Sequence, residues 1–257
     1  MPSTDFEYAD LPASLQSHLE QFCADISARA GENLISVAVY GDVTKSGQCA
    51  VGETSVPVLV VLQDASIQSL KPIAEVIRRA IQSFHAAPFV VSLHDLQTST
   101  DIFPIKFLDM QTHHFLLAGR DVLSELDIST QHLRLRCEQE LCNLLLRLRQ
   151  AWLKNPGSVS ALQDVITRSV SPLFSALGAA VSLQTELLPD STVDTADCAA
   201  RVMSLDRALL GRLLELINGK PVDSKADIEQ LFNGLLGTVE NAADFVDRLE
   251  SEASLAD

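Results

Sequence analysis

Two short, valine-rich apolar runs on either side of a glycine-rich polar loop constrain this chain more than any other feature. Leu34–Tyr40 reads LISVAVY and Val56–Leu62 reads VPVLVVL. Neither run alternates polar with apolar residues, as a half-exposed strand would. Near-continuous apolar runs of this length suit strands covered on both faces by helices. The loop at 41–53 begins directly at the end of the first run. A buried strand ending in a glycine-rich turn is a common way to aim backbone N–H groups at a phosphate.

The segments around this pair read as alternating helix and strand. A helix is expected over 10–29, capped by Asp10 with Pro12 in its first turn, and Leu15, Leu19, Phe22 and Ile26 give it one apolar face. Ala30-Gly31 ends it. A second amphipathic helix is expected over 69–85, with Leu70, Ile73, Val76, Ile77, Ala80, Ile81 and Phe84 on one stripe. A third strand is expected over 89–94, a polar loop over 96–102, and a helix over 104–118 that stops at Gly119. A strand, a crossover helix and another strand in this order imply an α/β layer with short connections.

Beyond about residue 127 the apolar spacing becomes helical throughout. Helices are expected over 130–154, over 159–177 with a kink or break at Pro172, over 195–218, and from Asp223 to about 249. Four helices with short connections read as an up-and-down bundle. The chain therefore divides into an α/β domain at 1–127 and a helical domain at 128–257.

Composition narrows the function. The formal net charge is -15, which disfavours a surface for nucleic-acid backbones. Cys23, Cys49, Cys137, Cys142 and Cys198 form no CxxC pair, so they suggest neither a zinc site nor a disulfide framework and fit a reducing cytoplasm. The opening MPSTDFEYAD is polar and acidic, unlike a secretory leader. No apolar run approaches the roughly 20 residues of a membrane helix, so no membrane partner is expected.

The strand, turn and second strand resemble the nucleotidyltransferase fold of DNA polymerase beta-like and antibiotic-modifying enzymes. In that family a strand leads to Gly-Ser, and a second strand opens with Ser-Asp-x-Asp. Here Gly41-Asp42 stands at the first position and Thr54-Ser55-Val56-Pro57 at the second. The segment Asp101-Ile102-Phe103-Pro104-Ile105-Lys106-Phe107-Leu108-Asp109, with His114 and Gly119-Arg120-Asp121 after it and the run 133–141, is similar to bacterial members with a helical C-terminal half. The resemblance covers about 10–250. It implies an α+β or α/β domain with a mixed sheet and flanking helices, followed by the all-α bundle.

The same resemblance makes Ser55 and Pro57 informative. Nucleotidyl transfer uses divalent ions that bridge a triphosphate, and magnesium takes hard oxygen ligands, chiefly carboxylates. Acids at i and i+2 of a strand share a face and can hold such ions together. A serine hydroxyl is a weak neutral ligand and proline offers none. A third acid would come from a later strand, yet Val90-Val91-Ser92-Leu93 has none and Asp95 follows it. Asp42, Glu53, Asp64 and Asp95 are the nearby carboxylates that would have to replace the missing ones; solvated loop acids are the expectation.

The residues proposed to line a vestigial nucleotide pocket are Gly41, Asp42, Lys45, Ser55 and Pro57, with no catalytic residue and no metal. Gly41–Gly47 carries a Lys-Ser pair after a strand but lacks the glycine before the lysine and a following helix, so a true P-loop is not expected. His113 and His114 are expected on one helix pointing apart, a poor metal pair. Arg134, Arg136, Arg147 and Arg149 alternate with Glu138 and Glu140, as on a solvated helix face. Cys49 in the loop could be an exposed thiol. The expected function is an inactive nucleotidyltransferase-like protein, a pseudoenzyme of bacterial type, that binds a nucleotide or a protein partner. Two alternatives are an active transferase using Mg and ATP through relocated acids, and a scaffold that forms homo-oligomers through the bundle.

Overall fold

The computed structural model describes residues 7–45, 55–220, 222 and 224–253. Two compact units result, Met1–Ile128 and Ser129–Asp257.

In the first unit four strands form one mixed sheet. They are β1 (Leu34–Tyr40), β2 (Val56–Leu62), β3 (Ala86–Ser92) and β4 (His114–Gly119), in the order β3-β2-β1-β4. β2 and β3 are parallel, and β1 is antiparallel to both β2 and β4. The two valine-rich runs occupy the centre, which is why neither needs a polar face. Val37, Val39, Val58, Val60 and Leu62 point to one side and pack on helices α1 (Ala13–Ala30) and α3 (Ala74–Phe84). A single turn, α2 (Ile67–Leu70), precedes α3. Ala38, Leu59 and Val61 point to the other side. They pack on Leu96 of α4 (Leu93–Thr98), on Phe107 and Met110 of α5 (Pro104–Thr112), and on Val122 and Leu123.

Several boundaries differ from expectation. Asp10 does not cap α1. It closes a 3-10 turn at Tyr8–Asp10, where its carboxylate accepts from Glu7 N, and Pro12 takes the cap position instead. The helix expected over 69–85 is divided at Lys71-Pro72-Ile73, because proline has no N–H to continue the ladder. Ile81 then falls off the buried stripe, at 45% exposure. The third strand ends at Ser92, whose hydroxyl accepts from Asp95 N and starts α4 where a loop was expected.

The largest correction is β4. The helix expected over 104–118 stops at Thr112, and His114–Gly119 crosses to pair with β1. Phe, Leu and Ala in that run are compatible with helix, but the free edge of β1 offers backbone groups that would otherwise lack partners. Gly119 is the anchor of that pairing. Its φ is +84°, and an added Cβ would lie 2.1 Å from Ile35 O, so the close approach admits no side chain.

The second unit is all helix: α6 (Thr130–Lys154), α7 (Val159–Thr185), α8 (Thr192–Met203), α9 (Arg207–Ile217) and α10 (Lys225–Ala253). There are five helices among the described residues rather than four. The run expected as one helix over 195–218 turns at Ser204, with φ +56°, and restarts at Asp206, whose carboxylate accepts from Ala208 N and Leu209 N. Pro172 does not break α7, because Val170, Leu173, Phe174 and Leu177 are buried on either side of it. That packing outweighs the roughly 3 kcal/mol of an interior proline. α7 is long and apolar enough to cross a membrane by length and composition, and it forms the core of this bundle, with most of its apolar side chains buried. The cap expected from Asp223 lies outside the described residues.

Candidate functional site

The site expected from the sequence lies where β1 ends and β2 begins. β1 runs out at Tyr40, and Gly41 turns the chain with φ +76° into a 3-10 turn, Gly41–Thr44. The turn is held from two directions. Gly41 N donates to His113 O at 3.1 Å, and the Thr44 hydroxyl donates to Gly41 O at 2.8 Å.

Pro57 sits beneath this turn. An added Cβ on Gly41 would meet Pro57 Cγ at 3.8 Å, an ordinary contact, so Gly41 is required by its backbone angle and not by crowding. Proline is tolerated in a central strand here for a local reason. Val56 N donates to His85 O on the β3 side, so the N–H that residue 57 lacks would face β1. The β1–β2 ladder already ends at Val39↔Val58. Ser55 precedes the strand and is exposed. Ser55 and Pro57 share the side of β2 that carries Leu59 and Val61, the side covered by α4 and α5.

The turn ends in a cluster that sequence reasoning did not find. Lys45 Nζ lies 2.8 Å from Asp109 Oδ1 on α5, and His113 Nδ1 lies 3.1 Å from the same oxygen. The Lys45 side chain is 15% exposed and that of Asp109 37%. Burial alone would push the Asp109 carboxyl up. The His113 hydrogen bond and the Lys45 charge outweigh it and hold the carboxyl below its usual value. Tyr40 stands close by, its hydroxyl pushed up by burial and then by the Asp109 charge. Nothing in the sequence spacing links 45 to 109. The signal available was the amphipathic spacing of Phe107 and Met110, which leaves Asp109 on the rim of α5.

The histidines do not share a helix as expected. His113 follows the last residue of α5, and His114 opens β4, where its Nε2 lies 3.1 Å from Asp121 Oδ1. Of the carboxylates weighed as replacements, Asp95 closes the Ser92 capping box and Asp64 accepts from Ser66 and Ser69. Both lie at the far end of the sheet, a strand length of about 20 Å from Ser55. Glu53 and Cys49 lie outside the described residues, and Asp42 is placed in the turn by its backbone. Among the described residues no three His, Cys, Asp or Glu side chains come together as a metal site. A hydroxyl at 55 and a pyrrolidine ring at 57 do not fit a magnesium ion, which takes oxygen ligands at close range. Lys45, whose charge already meets Asp109, also differs from a P-loop lysine. A phosphate arriving here competes with a carboxylate.

On the bundle, Arg134 pairs with Glu138, Arg136 with Glu140 and Arg149 with Glu240.

No family model matches the sequence, and no curated protein matches it. Among solved structures, the spectinomycin adenyltransferase AAD(9) from Enterococcus faecialis, determined with ATP and spectinomycin, superposes with a TM-score of 0.56 at 14% identity. The match covers 87% of this chain and 98% of that one.

This is a nucleotidyltransferase fold.

The mixed sheet with its flanking helices and the helical C-terminal region both belong to that likeness.

Proposed function

We propose that this chain is a nucleotidyltransferase-fold protein that does not transfer nucleotides, and that it uses the Gly41 turn to bind a nucleotide or a protein partner. One observation carries the reading. The two positions that would hold metal on β2 are Ser55 and Pro57, and the cation nearest the turn is Lys45, held by Asp109 at 2.8 Å. A protein ammonium paired to a carboxylate can meet a phosphate, but it does not activate an attacking oxygen as a pair of metal ions does. Such binding needs no divalent ion. A cytoplasmic setting is part of the same proposal.

A second reading has one supporting observation. The fold-level likeness to AAD(9) runs over 98% of that adenyltransferase, so it takes in the helical region as well as the sheet. On that reading ATP and magnesium are used through acids at other positions, with Asp42 and Glu53 the nearest in sequence to the turn.

Calorimetric titration separates the two. The first reading expects no tight Mg²⁺ or Mn²⁺ uptake, and a shift in melting temperature with ATP that is the same with and without the ion. Tight uptake that disappears in Asp42→Ala supports the second.

A further inference from the structure

The side of the sheet that carries Ser55 and Pro57 also holds a second lysine, on α5. Lys106 Nζ lies 3.5 Å from the centroid of the Phe89 ring. Phe89 belongs to β3, where it is partnered with Leu59, and it packs with Leu59 and Val61 on the side covered by α4 and α5. Pro57 is partnered with Ala87, two residues earlier on β3, a step of about 7 Å along the strand. Along α5, Lys106 and Asp109 stand three residues apart and are neighbours on the helix face. Asp109 in turn meets Lys45 at the end of the Gly41 turn. The turn, α5 and the Phe89 ring therefore border one patch. Its floor is Pro57 and Ala87, a pyrrolidine ring and a methyl group, both partly exposed.

The two lysines differ in how their charge is met. Lys45 is held by Asp109. Among the described residues no carboxylate lies against Lys106. Its contact is the face of an aromatic ring, which attracts a cation without neutralising it. Partial burial pushes the Lys106 ammonium below the ordinary lysine value. An ammonium that has lost water and met no opposite charge gains more from an anion than one already paired. The chain as a whole carries -15, so a polyphosphate is drawn to it only where such a local charge stands.

We propose that Lys106 is the phosphate-binding residue of the Gly41 site, receiving a phosphate group that lies over Pro57 and Ala87. Its ammonium supplies the positive charge that a metal ion held by paired acids on β2 would supply. The inference rests on the nucleotide-binding reading above and narrows it. The ligand is a nucleoside diphosphate or triphosphate bound without a divalent ion, and Lys106, more than Lys45, meets its charge. A lysine grips phosphate as a point charge, not through a fixed fork of donors. Inorganic triphosphate is therefore a ligand of the same residue.

Calorimetric titration of the full chain with ATP, with inorganic triphosphate and with adenosine, all in EDTA, tests it. The wild type is expected to bind ATP and triphosphate, more weakly as salt rises, and to bind adenosine far less well. Lys106→Met keeps an unbranched stem over Phe89 and removes the charge. It is expected to bind ATP and triphosphate about tenfold more weakly or worse, with an unchanged melt in the absence of ligand. Lys106→Arg keeps the charge and stacks on an aromatic ring, and is expected to recover most of the affinity. Equal ATP affinity in wild type and Lys106→Met overturns the inference and leaves the nucleotide-binding reading standing. Adenosine binding as tightly as ATP overturns the inference too, because the base and not the phosphate is then recognised. A wild type that binds no ATP overturns the nucleotide-binding reading, and this inference with it.

Discussion

The Lys45 ammonium reaches across 64 positions of sequence to lie 2.8 Å from Asp109 Oδ1, joining the turn after β1 to the helix α5. That bond ties the end of the Gly41 turn to the layer beneath it. His113, one turn along from Asp109, supports the same carboxylate and returns its own carbonyl to Gly41 N.

Removing the carboxylate should loosen this arrangement. Asp109→Asn is expected to cost about 1–2 kcal/mol, less than a fully buried pair because Asp109 is partly exposed. Urea denaturation of variant and wild type at neutral pH measures it. No difference in midpoint would mean that Asp109 does not hold the turn.

The same bond has a pH signature. Asp109 titrates below its ordinary value of 3.8 in the folded protein. Its contribution is therefore present in full well above pH 3.8 and is lost as pH falls through the lower folded value. Asp64, Glu75, Asp95, Asp121 and Glu215 are lowered too, so overall stability should fall at the acid end. The gap in stability between wild type and Asp109→Asn is expected to narrow from pH 6 to pH 3. A constant gap would show that the charge of Asp109 is not what stabilises.

Two glycines of positive φ should respond differently to alanine. Gly41→Ala meets only ordinary contact with Pro57 and pays for backbone angle alone, about 1 kcal/mol. Gly119→Ala places a methyl on Ile35 O and must push β4 away from β1, at about 3 kcal/mol or more. Equal losses in thermal denaturation would contradict the close approach at Gly119.

Trp152 reports on the bundle through Phe232, whose ring centroid is 5.4 Å away. Phe232 is fully buried. Phe232→Ala is expected to destabilise by about 3–5 kcal/mol, with the Trp152 emission midpoint moving accordingly. An unmoved midpoint would contradict the packing of Trp152 on Phe232.

The central strands and α6 were legible from residue order alone, because hydrophobic runs and three-four spacing are local signals. Leu34–Tyr40, Val56–Leu62 and Thr130–Lys154 begin and end where the sequence indicates. β4 was hidden because its strand character comes from the open edge of β1, not from its own residues. Pro172 misled because long buried flanks carry a helix through a proline, whereas Pro72 and Asp206 acted as local breaks. At the candidate site, the turn at Gly41 and the start of β2 beside Pro57 could be read from where the two apolar runs end and begin. The Lys45–Asp109–His113 cluster could not, since only the packing of α5 against the sheet brings Asp109 to the turn.

On the proposed function, Ser55 and Pro57 offer no carboxylate to hold a pair of metal ions, and the chain carries out no transferase chemistry. Incubating the purified full chain with each α-³²P-labelled nucleoside triphosphate and a cell lysate, with Mg²⁺ or Mn²⁺, tests it most directly. No acceptor is expected to carry label above a protein-free control. Divalent-dependent labelling that vanishes in Asp42→Ala or Asp109→Ala would contradict it.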